Sequence, residues 1–311
     1  MRSFVSIVLF IAAASFTGCW SGPPSTGDSG NAVNYSSNRS NVSEPTNTNY
    51  TNSNVSGSNT KMTESKTGFT ANLPDGFQPP SDDAARTLYK EYGAVFVAKG
   101  GVIAPRKVVF RDSADVFAFQ ATLSTASETL GGLQLELQTA AMKALKDAII
   151  EAKSQNLSIS PRDKDSAKRT YDETIDLWAS RVDPALKHWV GLGKITQADA
   201  DRIKSLSPYD QVPEVFKLEA KGIWFAKDLS KSVIYSVAPP GTSQHLSLLA
   251  LDVKEHDDEK VRAVLAKHGW FQTVASDLPH FTFLGLEEDQ LPTIGLKRIS
   301  SGGRSFWVPD I

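Results

Sequence analysis

The sequence predicts an α+β fold, in which helices and strands occupy separate blocks of the chain. Segments with apolar residues at helical spacing and segments of β-rich composition follow one another without strict alternation, which disfavours a doubly wound sheet. The sequence also contains no Walker loop, no dinucleotide-binding glycine pattern and no internal repeat. These observations together favour the α+β class.

Helices are predicted where apolar residues recur every three or four positions. The clearest covers residues 135–153, where leucine, alanine and isoleucine recur at helical spacing with lysines between them. Ser166 is placed to cap one helix, Pro184 to open the next, and Gly269 to stop the last. The predicted helices span residues 82–91, 135–153, 166–181, 183 onward, 197–205 and 257–268.

Strands are predicted for short runs rich in β-branched and aromatic residues. Residues 94–98 and 107–110 are expected to form a hairpin around Gly100 and Pro105. Further strands are predicted at residues 158–160, 232–237, 248–253, 270–273, 280–284 and 306–309.

Composition divides the chain into three parts. Residues 1–18 combine a positive start, an apolar run of about thirteen residues and small residues before Cys19, which predicts a secretory signal. Residues 19–66 are dominated by Asn, Ser, Thr and Gly, and they are expected to form a disordered tether because they bury too little apolar surface. Residues 67–311 have the composition of a globular domain, within which 67–130 is a candidate subdomain.

The small residues leading into Cys19 resemble the bacterial lipoprotein lipobox. That resemblance implies cleavage before Cys19, a lipid on its thiol, and a protein anchored in the bacterial cell envelope, facing the periplasm or the cell exterior. The alternative is an ordinary signal peptide whose removal leaves one free thiol. Because Cys19 is the only cysteine, no disulfide can form within the chain. The formal net charge of -2 and the lack of a basic cluster argue against a nucleic-acid partner.

Four residues near the C-terminus have the chemistry of a catalytic zinc site. His245 and Asp252 lie in one segment, and Asp277 and His280 lie in a second. Such a site needs three ligands, an open position for water, and a base. Alternation along the two predicted strands places Asp252 and His280 away from their apolar faces, so pairing of the strands lines both up on one side of a small sheet.

Three motifs, in order, resemble the zinc D-Ala-D-Ala peptidases, the vancomycin-resistance-type D,D-carboxypeptidases and D,D-dipeptidases. SQHLSLLALDV is similar to their Ser-X-His and Ala-X-Asp signature, and DLPHFTFLG to their Glu-X-X-His signature. Upstream, RTYDET, which begins at Arg169, is similar to their Arg-Ser-Tyr-X-X-Gln motif. The resemblance covers residues 135–285 and implies the fold of the hedgehog and D-Ala-D-Ala peptidase group, with a small antiparallel sheet and flanking helices.

The resemblance also implies a site and a reaction. The enzyme would be a zinc metallopeptidase that hydrolyses D-Ala-containing stem peptides of peptidoglycan in the cell wall with metal-activated water. The implied roles are zinc ligation by His245, Asp252 and His280, base catalysis by Asp277, charge stabilisation by Arg169, and substrate binding by Ser243 with Arg162 as a second arginine.

The chain departs from the family's pattern at four positions. Asp277 stands in place of Glu, Pro279 in place of Trp, Leu248 in place of Gly, and Thr174 in place of Gln. A shorter base can cost on the order of a hundredfold in rate if it moves the carboxylate by about 1 Å. The sequence therefore leaves two functions open: a peptidase, or a non-catalytic envelope lipoprotein that binds peptidoglycan or a partner.

Overall fold

The computed structural model describes residues 68–311. The predicted signal peptide, the lipidation site at Cys19 and the predicted tether lie outside the described residues. Within the described part, helices and short antiparallel strands follow one another in mixed order, in agreement with the α+β class. No helix in residues 68–311 is long and apolar enough to cross a membrane.

The elements are numbered in chain order. The α-helices are α1 (Asp83–Tyr92), α2 (Ser113–Gln120), α3 (Thr139–Ser154), α4 (Tyr171–Gly191), α5 (Gln197–Ser205), α6 (Gln211–Glu219) and α7 (Glu259–Lys267). The strands are β1 (Thr125–Leu130), β2 (Leu133–Gln138), β3 (Ala250–Asp252), β4 (Trp270–Phe271), β5 (His280–Phe283), β6 (Leu296–Ser301) and β7 (Arg304–Pro309). Short 3₁₀ helices lie at Phe69–Asn72, Gly93–Val97, Val233–Tyr235, Gln244–Ser247 and Glu288–Ile294.

A 3-stranded antiparallel sheet, in the order β3-β5-β4, positions the candidate site. Asp252 at the end of β3 lies directly opposite His280 at the start of β5. The pairing that lines up these two residues is therefore present in the structure. The remaining strands form two separate hairpins, β1 with β2 and β6 with β7.

One large apolar cluster supports this sheet. Leu88 of α1, Leu145 of α3, Trp178 of α4 and Phe281 of β5 are all buried within it. Because successive residues of a strand point to opposite faces, the neighbour of Phe281, His280, points away from this core. The sheet thus has one face for packing and one for the site.

The predicted positions of α1, α5 and α7 were correct. The predicted end of one helix at residue 181 and start of another at 183 were wrong. Helix α4 continues for 21 residues through that proline. Pro184 and Ser180 are both exposed, so water can satisfy the Ser180 carbonyl that loses its helical partner. The helix begins after Thr170, which forms a capping box with Glu173, and the predicted cap at Ser166 was also wrong.

Several predicted strands do not exist. Gly93–Val97 and Val233–Tyr235 are 3₁₀ helices, because a short apolar run is compatible with either a buried strand or a buried helical turn. Residues 107–110 and 158–160 are not strands, and each region contributes only an isolated bridge, at Lys107 and at Pro161.

The hairpin of β1 and β2 was missed, and its second strand occupies the start of the helix predicted from residue 135. Gly131 and Gly132 join the strands, both with positive φ, which suits a tight two-residue turn. Leu135 and Leu137 are buried on the inner face of β2. Their apolar side chains therefore belong to the strand and not to the helix that follows it. Helix α3 therefore begins at Thr139.

Candidate metal centre

The loop before His245 is held in place by a glycine contact. Gly241 has a φ of 72°, and a Cβ there would lie 1.8 Å from the carbonyl oxygen of Phe110. Its carbonyl accepts the Phe110 N–H at 2.9 Å, and its own N–H donates to Thr174 Oγ1 at 3.2 Å. Thr174, which stands where the resembled peptidases have Gln, thus helps to anchor the segment that carries His245.

His245 lies on the 3₁₀ helix Gln244–Ser247, which ends at Leu248 in the left-handed region with a φ of 59°. This single left-handed residue turns the chain into β3, at whose end Asp252 lies. His245 and His280 are 2% and 4% exposed, and the Asp252 side chain is 13% exposed. The three side chains meet at the edge of the sheet where β3 ends and β5 begins.

Their ligating atoms have the spacing of a tetrahedral metal site. His245 Nε2 lies 3.4 Å from Asp252 Oδ1, His280 Nδ1 lies 3.3 Å from the same oxygen, and the two nitrogens are 3.2 Å apart. Tetrahedral ligands at about 2.0 to 2.2 Å from a zinc ion are about 3.3 to 3.6 Å from one another. Two imidazoles and one carboxylate are a donor set that zinc accepts, so these residues fit zinc.

Each histidine is oriented by a hydrogen bond from its other ring nitrogen. His245 Nδ1 lies 3.3 Å from the carbonyl oxygen of Ala167, and His280 Nε2 lies 2.9 Å from Oε1 of Gln244. Oxygen acceptors at these positions leave the inner nitrogens free to donate a lone pair to a metal. No motif in the sequence indicated Gln244, although it lies directly beside a predicted ligand.

The protonation states also suit a cation. Burial lowers the pKa of His245, which favours the neutral ring. Burial raises the pKa of Asp252, but the adjacent His245 and His280 rings lower that pKa by more, to well below its ordinary value. At neutral pH the site therefore combines a carboxylate with a neutral His245 imidazole.

The three residues lie on the wall of a cavity of about 410 Å³. The other predicted site residues line the same cavity, namely Arg162, Arg169, Ser243 and Asp277. Tyr92, Arg181 and Gln244, which no sequence motif indicated, also line it. The roles of all these residues stay predictions, but the fold does bring the segments together.

Arg169 is a mostly buried cation with incomplete hydrogen bonding. Its side chain is 13% exposed, Nη1 donates to Ser243 Oγ at 3.3 Å, and Nη2 pairs with Asp165 at 3.3 Å. Its Nε is buried and has no partner among the described residues. An unpaired buried donor is costly, and the Arg169 side chain also lines the cavity, where a guanidinium can bind an anionic or carbonyl oxygen.

Asp277 occupies the turn that leads into β5. Its N–H donates to the Val274 carbonyl at 3.1 Å, and its carbonyl accepts the His280 N–H at 3.2 Å. The residue is exposed at the cavity wall, whereas the three candidate ligands are largely enclosed. A carboxylate there is accessible to solvent.

Fold and site together define a polar cavity with a buried centre of two histidines and one aspartate, carried by a small antiparallel sheet. No protein-family model matches the chain, and no curated protein matches it either.

Two solved structures are similar to part of the chain. One is the vancomycin-resistance D,D-pentapeptidase VanY of a VanB-type cassette in complex with Zn(II), with 16% identity, a TM-score of 0.32, and coverage of 53% of this chain and 82% of that one. The other is VanYB in complex with D-alanine-D-alanine, with 16% identity, a TM-score of 0.31, and coverage of 51% and 77%. Both belong to the class that the sequence motifs resemble, but TM-scores this low do not define the fold.

Proposed function

We propose that this protein is a zinc-dependent peptidase that cleaves D-Ala-containing stem peptides of peptidoglycan, as a D,D-carboxypeptidase or a related endopeptidase. The observation that carries the proposal is the meeting of three separate sequence motifs at one cavity. His245 and Asp252 come from one motif, His280 from a second and Arg169 from a third. The spacing of the ligand atoms was not part of the motif resemblance, so it supports the proposal independently.

The chemistry divides among the residues at the cavity wall. His245, Asp252 and His280 would hold the metal, which would supply Lewis-acid chemistry to the scissile carbonyl and to a water molecule. The Asp277 carboxylate takes a proton from the attacking water and passes it to the leaving amine. The Arg169 guanidinium binds the oxygen on which negative charge develops, or the substrate's terminal carboxylate, while Ser243 Oγ orients it.

The proposal includes a location. A lipid on Cys19 and a tether over residues 19–66 would hold the domain outside the membrane of a bacterial cell, close to its wall. The support for this part is the sequence of residues 1–66.

A second function is favoured by one feature. Asp277 stands where the resembled family has Glu, and its carboxylate is one methylene closer to the backbone. If the shorter side chain cannot reach the water, the protein would keep the metal and bind peptidoglycan or a partner without cleaving it.

Metal content tests the site itself. The purified protein is expected to bind about one zinc per chain, and His280→Ala is expected to lose it because only two ligands remain. His188→Ala is the matched control, since His188 is exposed on α4 and does not line the cavity. Unchanged zinc content in His280→Ala would refute this ligand assignment.

Release of D-Ala from purified muropeptides tests the activity. Asp277→Ala is expected to keep its zinc and to lower turnover by about 10²- to 10⁴-fold, the usual contribution of a general base. Asp277→Glu, which restores the family's residue, is expected to retain turnover. A wild-type protein that binds zinc but cleaves no stem peptide would favour the binding function instead.

A further inference from the structure

Gln244 is a buried amide at the centre of the candidate site. Its side chain is enclosed by β5 and by the backbone that ends α1, and the residue is only 4% exposed. Its Nε2 lies 2.9 Å from the carbonyl oxygen of Tyr92, and its Oε1 lies 2.9 Å from Nε2 of His280. A buried amide must satisfy both ends, so the orientation of this group is chemically determined.

The Tyr92 contact sets that orientation. A backbone carbonyl can only accept a hydrogen bond, so the amide nitrogen of Gln244 must face Tyr92. The amide oxygen must then face His280. An oxygen without hydrogens can only accept, and the proton in this contact therefore belongs to Nε2 of His280.

Two threonines support the same arrangement. Thr282 Oγ1 also contacts Oε1 of Gln244 and has to donate its proton to it. Thr273 Oγ1 lies 2.6 Å from Thr282 Oγ1, and it can supply the proton that this hydroxyl then accepts. The amide oxygen of Gln244 accepts two hydrogen bonds, and the donor and acceptor of each hydrogen bond in this series are defined.

We propose that Gln244 is the positioning residue that fixes the tautomer of His280. With its proton on Nε2, the ring keeps a lone pair on Nδ1, the nitrogen that lies 3.3 Å from Asp252 Oδ1 and 3.2 Å from His245 Nε2. Gln244 thus prepares His280 to ligate a metal before the metal arrives. The inference rests on the metal site of the proposed function and not on peptidase activity.

The consequence is a contribution to metal affinity from a residue that does not ligate. Without the amide oxygen, Nε2 of His280 has no partner from Gln244, and the ring is free to rotate or to change tautomer. Loss of an outer hydrogen-bond partner of a ligand histidine typically weakens metal binding by about 10- to 100-fold.

Zinc affinity in competition with a chelator tests this in the full-length protein. Gln244→Leu removes the acceptor at similar size and is expected to weaken zinc binding by about 10- to 100-fold. Gln244→Glu keeps an oxygen opposite His280 and, with its second oxygen protonated so that it donates to the Tyr92 carbonyl, is expected to restore part of the affinity. Gln211→Leu is the matched control, because Gln211 accepts a ring N–H from Trp178 at 2.9 Å but does not line the cavity.

A second measurement does not need metal. Nitrogen-15 NMR of the metal-free protein is expected to show His280 as the Nε2–H tautomer in wild type and in Gln211→Leu, and a tautomer mixture in Gln244→Leu. An Nδ1–H tautomer in wild type, or wild-type zinc affinity in Gln244→Leu, would overturn the inference. Zinc binding without D-Ala release would overturn only the peptidase function, so the two failures are distinguishable.

Discussion

Leu248 has a left-handed backbone although its side chain is fully buried. The resembled peptidases have glycine at this position. The φ of 59° explains the preference for glycine, because this conformation costs a residue with a side chain about 1 to 2 kcal/mol. Removing a buried leucine side chain costs about 2 to 5 kcal/mol. The burial term is the larger, so leucine is tolerated at this turn.

A comparison of two adjacent leucines tests this balance. Leu248→Ala and Leu248→Gly should both destabilise the protein, but the glycine variant should be the more stable of the two by about 1 kcal/mol. At Leu249, which is equally buried but lacks a positive φ, the order should reverse, with alanine the more stable by about 0.5 to 1 kcal/mol. Urea unfolding of the four variants measures both differences. The same order at both positions would contradict the backbone argument.

At the scale of residues, the sequence indicated which residues could ligate a metal, but not which residues orient those ligands through hydrogen bonds. Asp252 and His280 could be placed by period-two alternation, and the motif supplied His245. The contact of Gln244 with Tyr92 joins residues that are 152 positions apart, and no local pattern predicts such a contact.

Among the elements, the end of α6 holds the segment that becomes the cavity wall. Glu219, the last residue of α6, is 5% exposed and accepts N–H groups from Phe225 and Val233, as well as the hydroxyl of Ser232. Burial raises the pKa of Glu219, although these hydrogen bonds oppose the shift. The 3₁₀ turn that begins at Val233 continues into the residues at the cavity wall.

This raised pKa predicts a pH-dependent stability. Between the ordinary pKa of 4.5 and the raised folded value, the folded protein binds more protons than the unfolded chain, so the contribution of Glu219 to stability falls as pH rises. In Glu219→Gln that fall should be absent, because the amide does not ionise but can still accept hydrogen bonds. In Ser232→Ala it should be larger, because a hydrogen bond that lowers the pKa is lost. Free energies of unfolding from pH 4.5 upward measure the three profiles, and identical profiles would refute the assignment.

Element prediction succeeded where helical spacing and a capping residue agree, and it failed where apolar runs were short. The nine residues of α5 were predicted correctly because a capping threonine and helical spacing agree. The run at Gly93–Val97 is buried at every position, so it has no alternation that could distinguish a strand from a 3₁₀ turn. The decision there depends on tertiary neighbours, which a single sequence does not contain.

On the scale of the whole molecule, the site joins parts of the chain that are distant in sequence. The candidate ligands span from His245 to His280. The carbonyl that hydrogen-bonds to His245 belongs to Ala167, and the carbonyl that accepts from Gln244 belongs to Tyr92. The α+β class and the order of the motifs were predictable, since both depend on the arrangement of segments along the chain. The cavity depends on how α1, α4 and the sheet pack together, which only the structure shows.

Metal binding should therefore stabilise the folded domain as a whole. A ligand that binds only the folded state at a concentration of 100 times its Kd adds about 2.7 kcal/mol. For a domain of this size, about 2 to 4 °C of Tm per kcal/mol gives an expected rise of about 5 to 11 °C with zinc. Binding of zinc to histidines of the unfolded chain would reduce this rise.

Thermal unfolding with and without zinc measures that shift. His280→Ala should show no rise at the same zinc concentration, because the remaining His245 and Asp252 cannot hold the ion at that affinity, while His188→Ala should respond as wild type does. Excess chelator should return wild type to its metal-free Tm. An equal rise in wild type and in His280→Ala would mean that zinc acts elsewhere on the protein, and the assignment of this cavity as the metal site would be wrong.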